Sequence, residues 1–403
     1  MGLTMAIRST DPPQPPRVGP RPLWLHLGTA AMSWSSAALP AALWASSLRG
    51  TDPRMELLTM IDLATRRYGR LATGIVAYQT HPYRRAVPAP PVLWRCEGMA
   101  VLDYGEDRNP GAPPILIVPS LINKHYILDL HEEQSFVRAL AHAGYRPLLV
   151  AWDGFAGASE PVTIDACVSE KLAGALTAIL AATKQRPVLL GYCLGGLLAL
   201  ALAALRPGEV AALAFMATPW DFHAGDCRLA QAAPGALAMI EPVLQMLGHM
   251  PVDAVQSLFY AIDPFQVIEK FLRFAEIAPA SEEAARFVAL EDWLNDGLPL
   301  AAPVARTLLG EWYGGNAPAR GAWSVGGVRI DPSHVTHPAF AMLPSRDRIV
   351  PPASAEALAL ALPHAEAVTV DAGHIGMVSS RHAPRTVWPL LLHWLQKTLA
   401  PTA

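Results

Sequence analysis

Apolar runs that are typical of buried strands alternate with segments of helical spacing from about residue 90 onward. Four continuous apolar runs have the character of parallel strands buried on both faces: 113–121, 146–152, 187–192 and 210–218. Three segments of helical periodicity lie between them: 135–145, 163–183 and 194–205. This alternation predicts an α/β fold with a doubly wound, mostly parallel sheet and right-handed crossovers.

The alternation stops after Phe222 and returns with apolar strands at 338–345 and 365–370. Between them the sequence is helical and irregular, which predicts a cap (lid) insertion over residues 223–335. Ligands bind at the carboxyl ends of the strands in such sheets, so we expect the cap to cover that edge. Residues 91–222 and 336–403 form the predicted catalytic core, whose first strands, at 92–105, are expected to form an antiparallel pair.

Two further segments precede this core. Residues 1–22 are proline-rich and aperiodic, which predicts a disordered tail. Residues 23–90 are predicted to be helical. No charged residue occurs between Arg21 and Arg49, and three tryptophans lie in that stretch. A helix packed on the core or lying on an apolar surface is the favoured interpretation, and a membrane-spanning helix is the alternative.

Composition excludes several classes of protein. Apolar residues make up 52% of the 403 residues and charged residues 16%, which excludes a disordered chain. A net charge of −3 gives no reason to expect a nucleic-acid partner. No two of the four cysteines have CxxC spacing, so we expect no zinc site and reduced, cytoplasmic thiols. No glycine-rich nucleotide fingerprint is visible, and no cofactor or metal is predicted.

A candidate nucleophile stands between the strand at 187–192 and the helix at 194–205. The sequence Gly191-Tyr192-Cys193-Leu194-Gly195-Gly196 has the form of a nucleophile elbow in which cysteine replaces serine. Glycines beside such a tight turn prevent clashes between strand and helix. The positive end of the following helix favours the thiolate of Cys193.

An elbow nucleophile needs an acid and then a histidine later in the chain. Asp347 and His374 each follow one of the last two predicted strands and reach the same edge of the sheet as Cys193. His374 can take the thiol proton and later return it, and Asp347 can fix the tautomer of His374. The alternative acids are Asp371 and Asp221, and the alternative bases are His125, His223, His334 and His337. Cys167 and Cys227 are expected to be structural.

Backbone N–H groups are expected to bind the oxyanion that forms during acyl transfer. One belongs to Leu194, directly after the nucleophile. The other comes from the loop after the strand at 113–121, around Ser120 and Leu121. Three neighbouring side chains, those of Asn123, Tyr192 and Asp221, are predicted to contact substrate.

Taken together, these motifs resemble the polyhydroxyalkanoate (poly-3-hydroxybutyrate) synthase family of the α/β-hydrolase superfamily. The resemblance covers roughly residues 90–400 and rests on the G-x-C-x-G-G box at 191–196 and on four further stretches: IVPSLINKHYILDL (117–130), T-P-x-D-F (218–222), DRIVP (347–351) and GHIG (373–376). It implies a Cys-His-Asp acyltransferase that moves (R)-3-hydroxyacyl groups from coenzyme A to a growing polyester. Coenzyme A is then part of the substrate.

The resemblance also implies a homodimer, an accessory subunit as a further option, and work at a polyester chain or granule surface. Residues 22–48 are the candidate segment for granule or membrane association. Two alternatives remain open. The same triad with water as acceptor is a thioesterase or polyhydroxyalkanoate depolymerase. A granule-associated protein without turnover would use the apolar N-terminal segment instead.

Overall fold

The computed structural model describes residues 17–105, 111–154 and 162–400. The chain divides into two compact units. The helical unit contains the residues up to Tyr83 together with Phe265–Asn295. The sheet unit contains Arg84–Pro264 together with the residues from Asp296 onward.

Apolar runs become the strands of an eight-stranded sheet in the described part of the sheet unit. The strands are β1 (Val92–Cys96), β2 (Met99–Asp103), β3 (Pro114–Val118), β4 (Arg146–Trp152), β5 (Val188–Tyr192), β6 (Ala212–Met216), β7 (Ala339–Pro344) and β8 (Ala365–Val370). Every residue of β3, β4, β5 and β6 is buried. This explains why their sequences are apolar throughout and do not alternate.

The strand order is β1-β2-β4-β3-β5-β6-β7-β8. Strand β2 runs antiparallel to both β1 and β4, and the remaining neighbours are parallel. The predicted doubly wound α/β fold and its antiparallel edge are therefore confirmed. Because β5, β7 and β8 are parallel, the residues that follow them emerge at one edge of the sheet.

The longer helices, in chain order, are α1 (Leu23–Arg49), α2 (Pro53–Gln79), α3 (Phe136–His142), α4 (Ile164–Thr183), α5 (Leu194–Leu205), α6 (Arg228–Leu247), α7 (Val252–Ile262), α8 (Gln266–Phe274), α9 (Glu282–Asn295), α10 (Ala302–Arg306), α11 (Pro352–Ala361) and α12 (Trp388–Leu399). Helix α10 continues as a π-helical segment, Thr307–Gly314. Helix α5 is buried from Leu194 to Ala203, which agrees with its almost wholly apolar sequence.

Helix α4 is the one helix among the described residues that is long and apolar enough to cross a membrane. It packs on the sheet: a Cβ atom on Gly174 would lie 3.0 Å from the ring of Trp94 in β1. Length and hydropathy do not distinguish such a core helix from a membrane span. Helix α1, for which a span was the alternative interpretation, does not pass the same test.

The helical unit has its own apolar core, formed by α1, α2, α8 and α9. Leu71, Ile75 and Tyr78 of α2 pack with Phe271 of α8 and Val288 of α9. At Gly74 the helices approach so closely that a Cβ atom would lie 2.1 Å from the carbonyl oxygen of Phe271. Glycine is therefore required there by packing.

Two predicted boundaries differ from the structure. Residues 1–16 of the predicted disordered tail lie outside the described residues, but residues 17–22 are held in place. Arg17 donates to the carboxylate of Asp292 at 2.6 Å and to the carbonyls of His81 and Tyr83. The charge and donors of Arg17 explain this order, which proline content alone does not reveal.

The predicted cap, residues 223–335, does not form a single unit. Residues 265–295 belong to the helical unit, because the apolar faces of α8 and α9 pack with α1 and α2. The remainder, including α6, α7 and α10, belongs to the sheet unit. Helical spacing in the sequence indicates an amphipathic helix but does not identify the surface that the helix covers.

Candidate active site

Cys193 occupies a sharp turn between β5 and α5. Its φ of +56° lies in the left-handed region, which is strained for a residue with a side chain. A Cβ atom on Gly191 would lie 2.2 Å from the Cα atom of Gly196, and one on Gly196 would lie 1.9 Å from the Thr218 hydroxyl. The two glycines therefore allow the strand and helix to meet at this turn, as the sequence predicts for a nucleophile elbow.

The loop after β3 passes beside the first turn of α5. A Cβ atom on Gly195 would lie 2.0 Å from the carbonyl oxygen of Val118. The two segments predicted to supply the oxyanion hole, Leu194 and the Ser120–Leu121 loop, are therefore neighbours. Leu194 is the first residue of α5, where an N–H group has no partner within the helix. Its use by an oxyanion stays a prediction.

His374 and Asp347 form a buried pair at the same edge of the sheet. The Nδ1 atom of His374 donates to the Oδ2 atom of Asp347 at 2.6 Å. The other carboxylate oxygen, Oδ1, accepts from the N–H groups of Ile349 and Val350 at 2.8 and 2.9 Å. The carboxylate is thus fixed on both oxygens, and it holds the imidazole with Nδ1 protonated.

The remaining ring nitrogen of His374 is left to interact with Cys193. Burial by itself lowers the pKa of His374, because it disfavours the charged ring. The negative charges of Cys193 and Asp347, and hydrogen bonds to both side chains, outweigh burial and raise this pKa to about 10. The arrangement therefore favours the protonated form of the His374 imidazole at neutral pH.

This combination of strained cysteine, histidine and carboxylate on a mostly parallel sheet agrees with similarities to known proteins. The family model for the alpha/beta hydrolase fold matches residues 113–233. A poly(3-hydroxyalkanoate) polymerase subunit PhaC from Synechocystis sp. is 30% identical over 304 residues, which cover 72% of this chain and 79% of that protein. The chain belongs to the poly(3-hydroxyalkanoate) polymerase subunit PhaC family.

Other members of the PhaC family extend the similarity. The PhaC subunit of Haloarcula marismortui is 28% identical over 371 residues, which cover 91% of this chain and 75% of that protein. The PhaC subunit of Allochromatium vinosum is 27% identical over 303 residues, which cover 73% and 85% of the two chains. The names of these relatives describe each as a subunit of a polymerase.

Tyr192, predicted to contact substrate, has a different position in this PhaC chain. Its hydroxyl donates to the carbonyl oxygen of His374 at 3.1 Å. Its ring lies against the imidazole, with the ring centroids 5.3 Å apart. Tyr192 is almost fully buried, and these contacts hold the backbone and the ring of His374 in place. A substrate contact by Tyr192 stays a prediction.

Asp221, also predicted to contact substrate, anchors a loop through one carboxylate oxygen, and its substrate contact stays a prediction. Its Oδ1 atom accepts from the side chain of Asn316 at 2.8 Å and from the N–H of His223 at 2.9 Å. Asn123 pairs with Gly297 in an isolated bridge. The Oδ1 atom of Asn123 is buried and accepts no hydrogen bond from the described residues. A substrate contact by Asn123 therefore stays a prediction.

The alternative acids and bases other than His125 interact with other protein groups. Asp371 is exposed and pairs with Arg346 at 2.8 Å, although it is only three residues from His374. The ring of His223 donates to the carbonyl of Tyr313, and His337 donates to that of Pro207. His334 lies near Asp331. His125 is largely buried, and burial lowers its pKa to about 4.

Sequence reasoning missed Tyr313, which lies near the end of the π-helical segment 307–314. Tyr313 lines a cavity of about 200 Å³ together with Phe222, Ile349 and Val350. An adjoining cavity of about 430 Å³ is lined by Asp347 and shares Arg228 and Arg348 with the first. The only signal in the sequence is the pair of aromatic residues Trp312-Tyr313, which equally well indicates a packed core.

Proposed function

We propose that this chain is a polyhydroxyalkanoate synthase that transfers (R)-3-hydroxyacyl groups from coenzyme A thioesters to a growing polyester. The transfer proceeds through an acyl-cysteine at Cys193. The observation that carries the proposal is the elbow cysteine paired with the buried His374–Asp347 couple in a member of the PhaC family. A cysteine nucleophile suits this chemistry, since a thioester exchanged for another thioester remains reactive toward an alcohol.

In the first half of the reaction, His374 takes the thiol proton and the thiolate of Cys193 attacks the thioester carbonyl. The N–H group of Leu194 and one from the Ser120–Leu121 loop stabilise the oxyanion. The carbon–sulfur bond to coenzyme A breaks, and His374 returns the proton to the departing thiolate. Asp347 keeps the imidazole in the required tautomer and stabilises its charged form.

In the second half, a hydroxyl group at the end of a polyester chain is the acceptor. His374 takes the hydroxyl proton as the oxygen attacks the acyl-cysteine. The thioester then breaks, and the proton is transferred to the sulfur of Cys193. One ester bond forms and the free thiol is restored. If water enters instead, the same steps release a hydroxy acid, so exclusion of water separates synthase from hydrolase.

Turnover of purified full-length protein tests the proposal. With (R)-3-hydroxybutyryl-CoA we expect thiol release together with growing turbidity, and both should be lost in Cys193→Ala. Cys96→Ala is the matched control, because Cys96 lies on the edge strand β1. Thiol release with only free hydroxy acid would contradict polymerase activity and indicate a hydrolase. Unchanged turnover in Cys193→Ala would contradict the nucleophile.

We further propose that no cofactor or metal is needed beyond the coenzyme A thioester substrate. Every step above uses only side-chain and backbone groups of the sheet unit. Turnover after dialysis against EDTA should therefore equal turnover before it. A loss that added Mg²⁺ or Zn²⁺ restores would contradict this part of the proposal.

The cytoplasmic surface of a polyester granule is the proposed place of action, reached through residues 22–48. In support, Trp24, Met32, Leu39, Leu43 and Trp44 of α1 are all exposed. Exposed apolar surface of this extent marks an interaction site.

We also propose a homodimer with an accessory subunit as a further partner, supported by the word subunit in the names of the relatives. Light scattering of the purified chain, alone and with a candidate partner, measures both.

A further inference from the structure

Tyr313 is held rigidly beside the cavity next to the candidate triad. Its ring packs edge-on against Phe222, with the ring centroids 4.8 Å apart. Its backbone carbonyl accepts a hydrogen bond from the ring of His223 at 2.9 Å. Side chain and backbone are thus both fixed, which is the condition for a group that positions a substrate.

Tyr313 lies close enough to Cys193 and Asp347 for their charges to act on its hydroxyl. Burial, followed by the charges of Cys193 and Asp347, raises the pKa of Tyr313 well above its ordinary value. The phenol therefore stays protonated and acts as a hydrogen-bond donor. Tyr313 lines the cavity together with Ile349 and Val350, which lie two and three residues after Asp347 in the chain.

Two other tyrosines of the sheet unit donate to protein atoms. The hydroxyl of Tyr104 donates to Asp129 at 3.0 Å, and that of Tyr192 donates to the carbonyl of His374 at 3.1 Å. The hydroxyl of Tyr313 donates to no atom within the described ranges 17–105, 111–154 and 162–400. Tyr313 is half-buried and lines the cavity, so its hydroxyl is a donor that remains available to a ligand there.

The cavity has the size of one short acyl group. Its volume is about 200 Å³, and its walls include Phe222, Leu229 and Val350. An apolar cavity of about 150 Å³ is enough for benzene, with its six carbon atoms. A 3-hydroxybutyryl group has about as many non-hydrogen atoms as benzene. It is apolar except for its carbonyl and its hydroxyl, and the carbonyl belongs at the oxyanion hole.

We propose that Tyr313 donates a hydrogen bond to the 3-hydroxyl of the acyl group bound at Cys193, in the cavity formed with Phe222 and Val350. Tyr313 is then a substrate-positioning residue that makes the site select short 3-hydroxyacyl donors over acyl donors without the hydroxyl. The inference deepens the proposed synthase function and rests on it. A site that donates to a substrate hydroxyl rejects the analogue that lacks it.

The test combines removal of the enzyme hydroxyl with removal of the substrate hydroxyl. First-turnover acylation of Cys193 is measured in the full chain with (R)-3-hydroxybutyryl-CoA and with butyryl-CoA. We expect the native chain to prefer the hydroxylated donor at least about 10-fold, and Tyr313→Phe to lose most of that preference. The rate with butyryl-CoA should change little in Tyr313→Phe. Tyr104→Phe, which removes a buried hydroxyl bonded to Asp129, is the matched control and should keep the preference.

Binding of the same two thioesters in a Cys193→Ala background gives a second readout that needs no turnover. Tyr313→Phe should weaken binding of the hydroxylated thioester and leave the other unchanged. The proposal would be overturned if the preference for the hydroxylated thioester over butyryl-CoA were the same in the native chain and in Tyr313→Phe, in acylation and in binding. It would also be overturned if Tyr313→Phe slowed acylation by both thioesters equally. If polymer still forms while the preference is unchanged, the role of Tyr313 is wrong and the synthase function stands. A Tyr313-dependent binding preference without polymer contradicts the synthase function and supports the hydroxyl contact.

Discussion

The two units of the chain differ in how many large apolar residues they expose. In the sheet unit, β3 to β6 and nearly all of α5 are buried, so apolar residues lie inside. In the helical unit, large apolar residues of α1 and α2 are exposed, among them Trp24, Trp44 and Leu58. A charged pair, Lys270 with Glu291, lies inside the same unit.

This difference shows that apolar residues have different roles in the two units. In the sheet unit apolar residues are mostly buried, and the candidate catalytic groups Asp347 and His374 lie inside it together with structural polar groups such as the Arg146–Asp103 pair. In the helical unit the exposed apolar residues are the surface proposed to contact a polyester granule or a partner protein. We therefore expect variants in the sheet unit to change turnover and surface variants in the helical unit to change binding to the polyester.

The largest effect is expected from Asp347→Asn in the sheet unit. Without the carboxylate the His374 tautomer is no longer fixed, and turnover should fall about 10³-fold. The pH dependence of turnover shows in which direction the pKa of His374 changes in this variant. The pKa of His374, raised to about 10, keeps the imidazole protonated below about pH 10, and we expect activity to fall as pH rises through that value because the ring must return a proton to the departing thiolate. Removing the negative charge lowers this pKa, so the alkaline limb should move toward neutral pH.

Asp371→Asn is the matched control for that experiment. Asp371 is exposed and paired with Arg346, so turnover should stay within about 2-fold of the native value and the alkaline limb should not move. If Asp371→Asn has the larger effect, the acid has been assigned to the wrong residue. An unmoved alkaline limb in Asp347→Asn would contradict the electrostatic account of His374.

A smaller effect, on stability, is expected from Lys270→Met in the helical unit. Lys270 lies 2.8 Å from Glu291, whose side chain is only 3% exposed. Breaking a buried pair leaves an uncompensated charge, and the free energy of unfolding should fall by about 3 kcal/mol. Urea denaturation measures this change, and the double variant Lys270→Met with Glu291→Leu should regain most of the lost stability.

The pH dependence of the Lys270→Met variant tests the same explanation. Burial raises the pKa of Glu291, and Lys270 counteracts that rise. Without Lys270 the pKa rises further, so the folded state binds a proton more readily than the unfolded state. Stability should then fall as pH increases from about 5 to 7. A loss of stability that is equal at both pH values would indicate lost packing instead.

Much of the sheet unit could be predicted from sequence because its signals are local. Strand β5, the two glycines 191 and 196, and helix α5 are contiguous, so the elbow is visible in a few residues. Asp347 and His374 follow from a rule about the carboxyl ends of strands. The presence of β7 and β8 needs only the return of the apolar pattern after residue 338.

Other features depend on contacts between distant residues, which spacing does not encode. Tyr192 contacts His374 only because the loop after β8 reaches β5, which the sequence does not show, and its predicted substrate contact stays a prediction. Asp221 has its partner at Asn316, almost a hundred residues later. Helices α8 and α9 show an amphipathic pattern, but nothing in it specifies α2 as the partner. The role proposed for Tyr313 depends on the cavity that it lines, which the sequence does not show.

The smallest effect is expected from surface variants that address attachment. Trp24 and Trp44 are 72% and 69% exposed, so changing both to serine should leave the unfolding temperature nearly unchanged. If α1 binds the polyester surface, the burial of these two rings on that surface provides part of the binding energy. We expect binding of the purified protein to polyester particles, measured by sedimentation, to weaken about 10-fold.

The matched control removes a similar amount of exposed apolar surface from the sheet unit. Met239 and Leu360 are 84% and 80% exposed, and changing both to serine should leave sedimentation with the particles unchanged. Equal weakening in the two double variants would mean that general surface hydrophobicity drives binding, which contradicts a specific attachment through α1. Weakening only in Trp24→Ser with Trp44→Ser would assign attachment to the helical unit. Together with an intact first turnover in that variant, it would show that attachment and chemistry are located in different units.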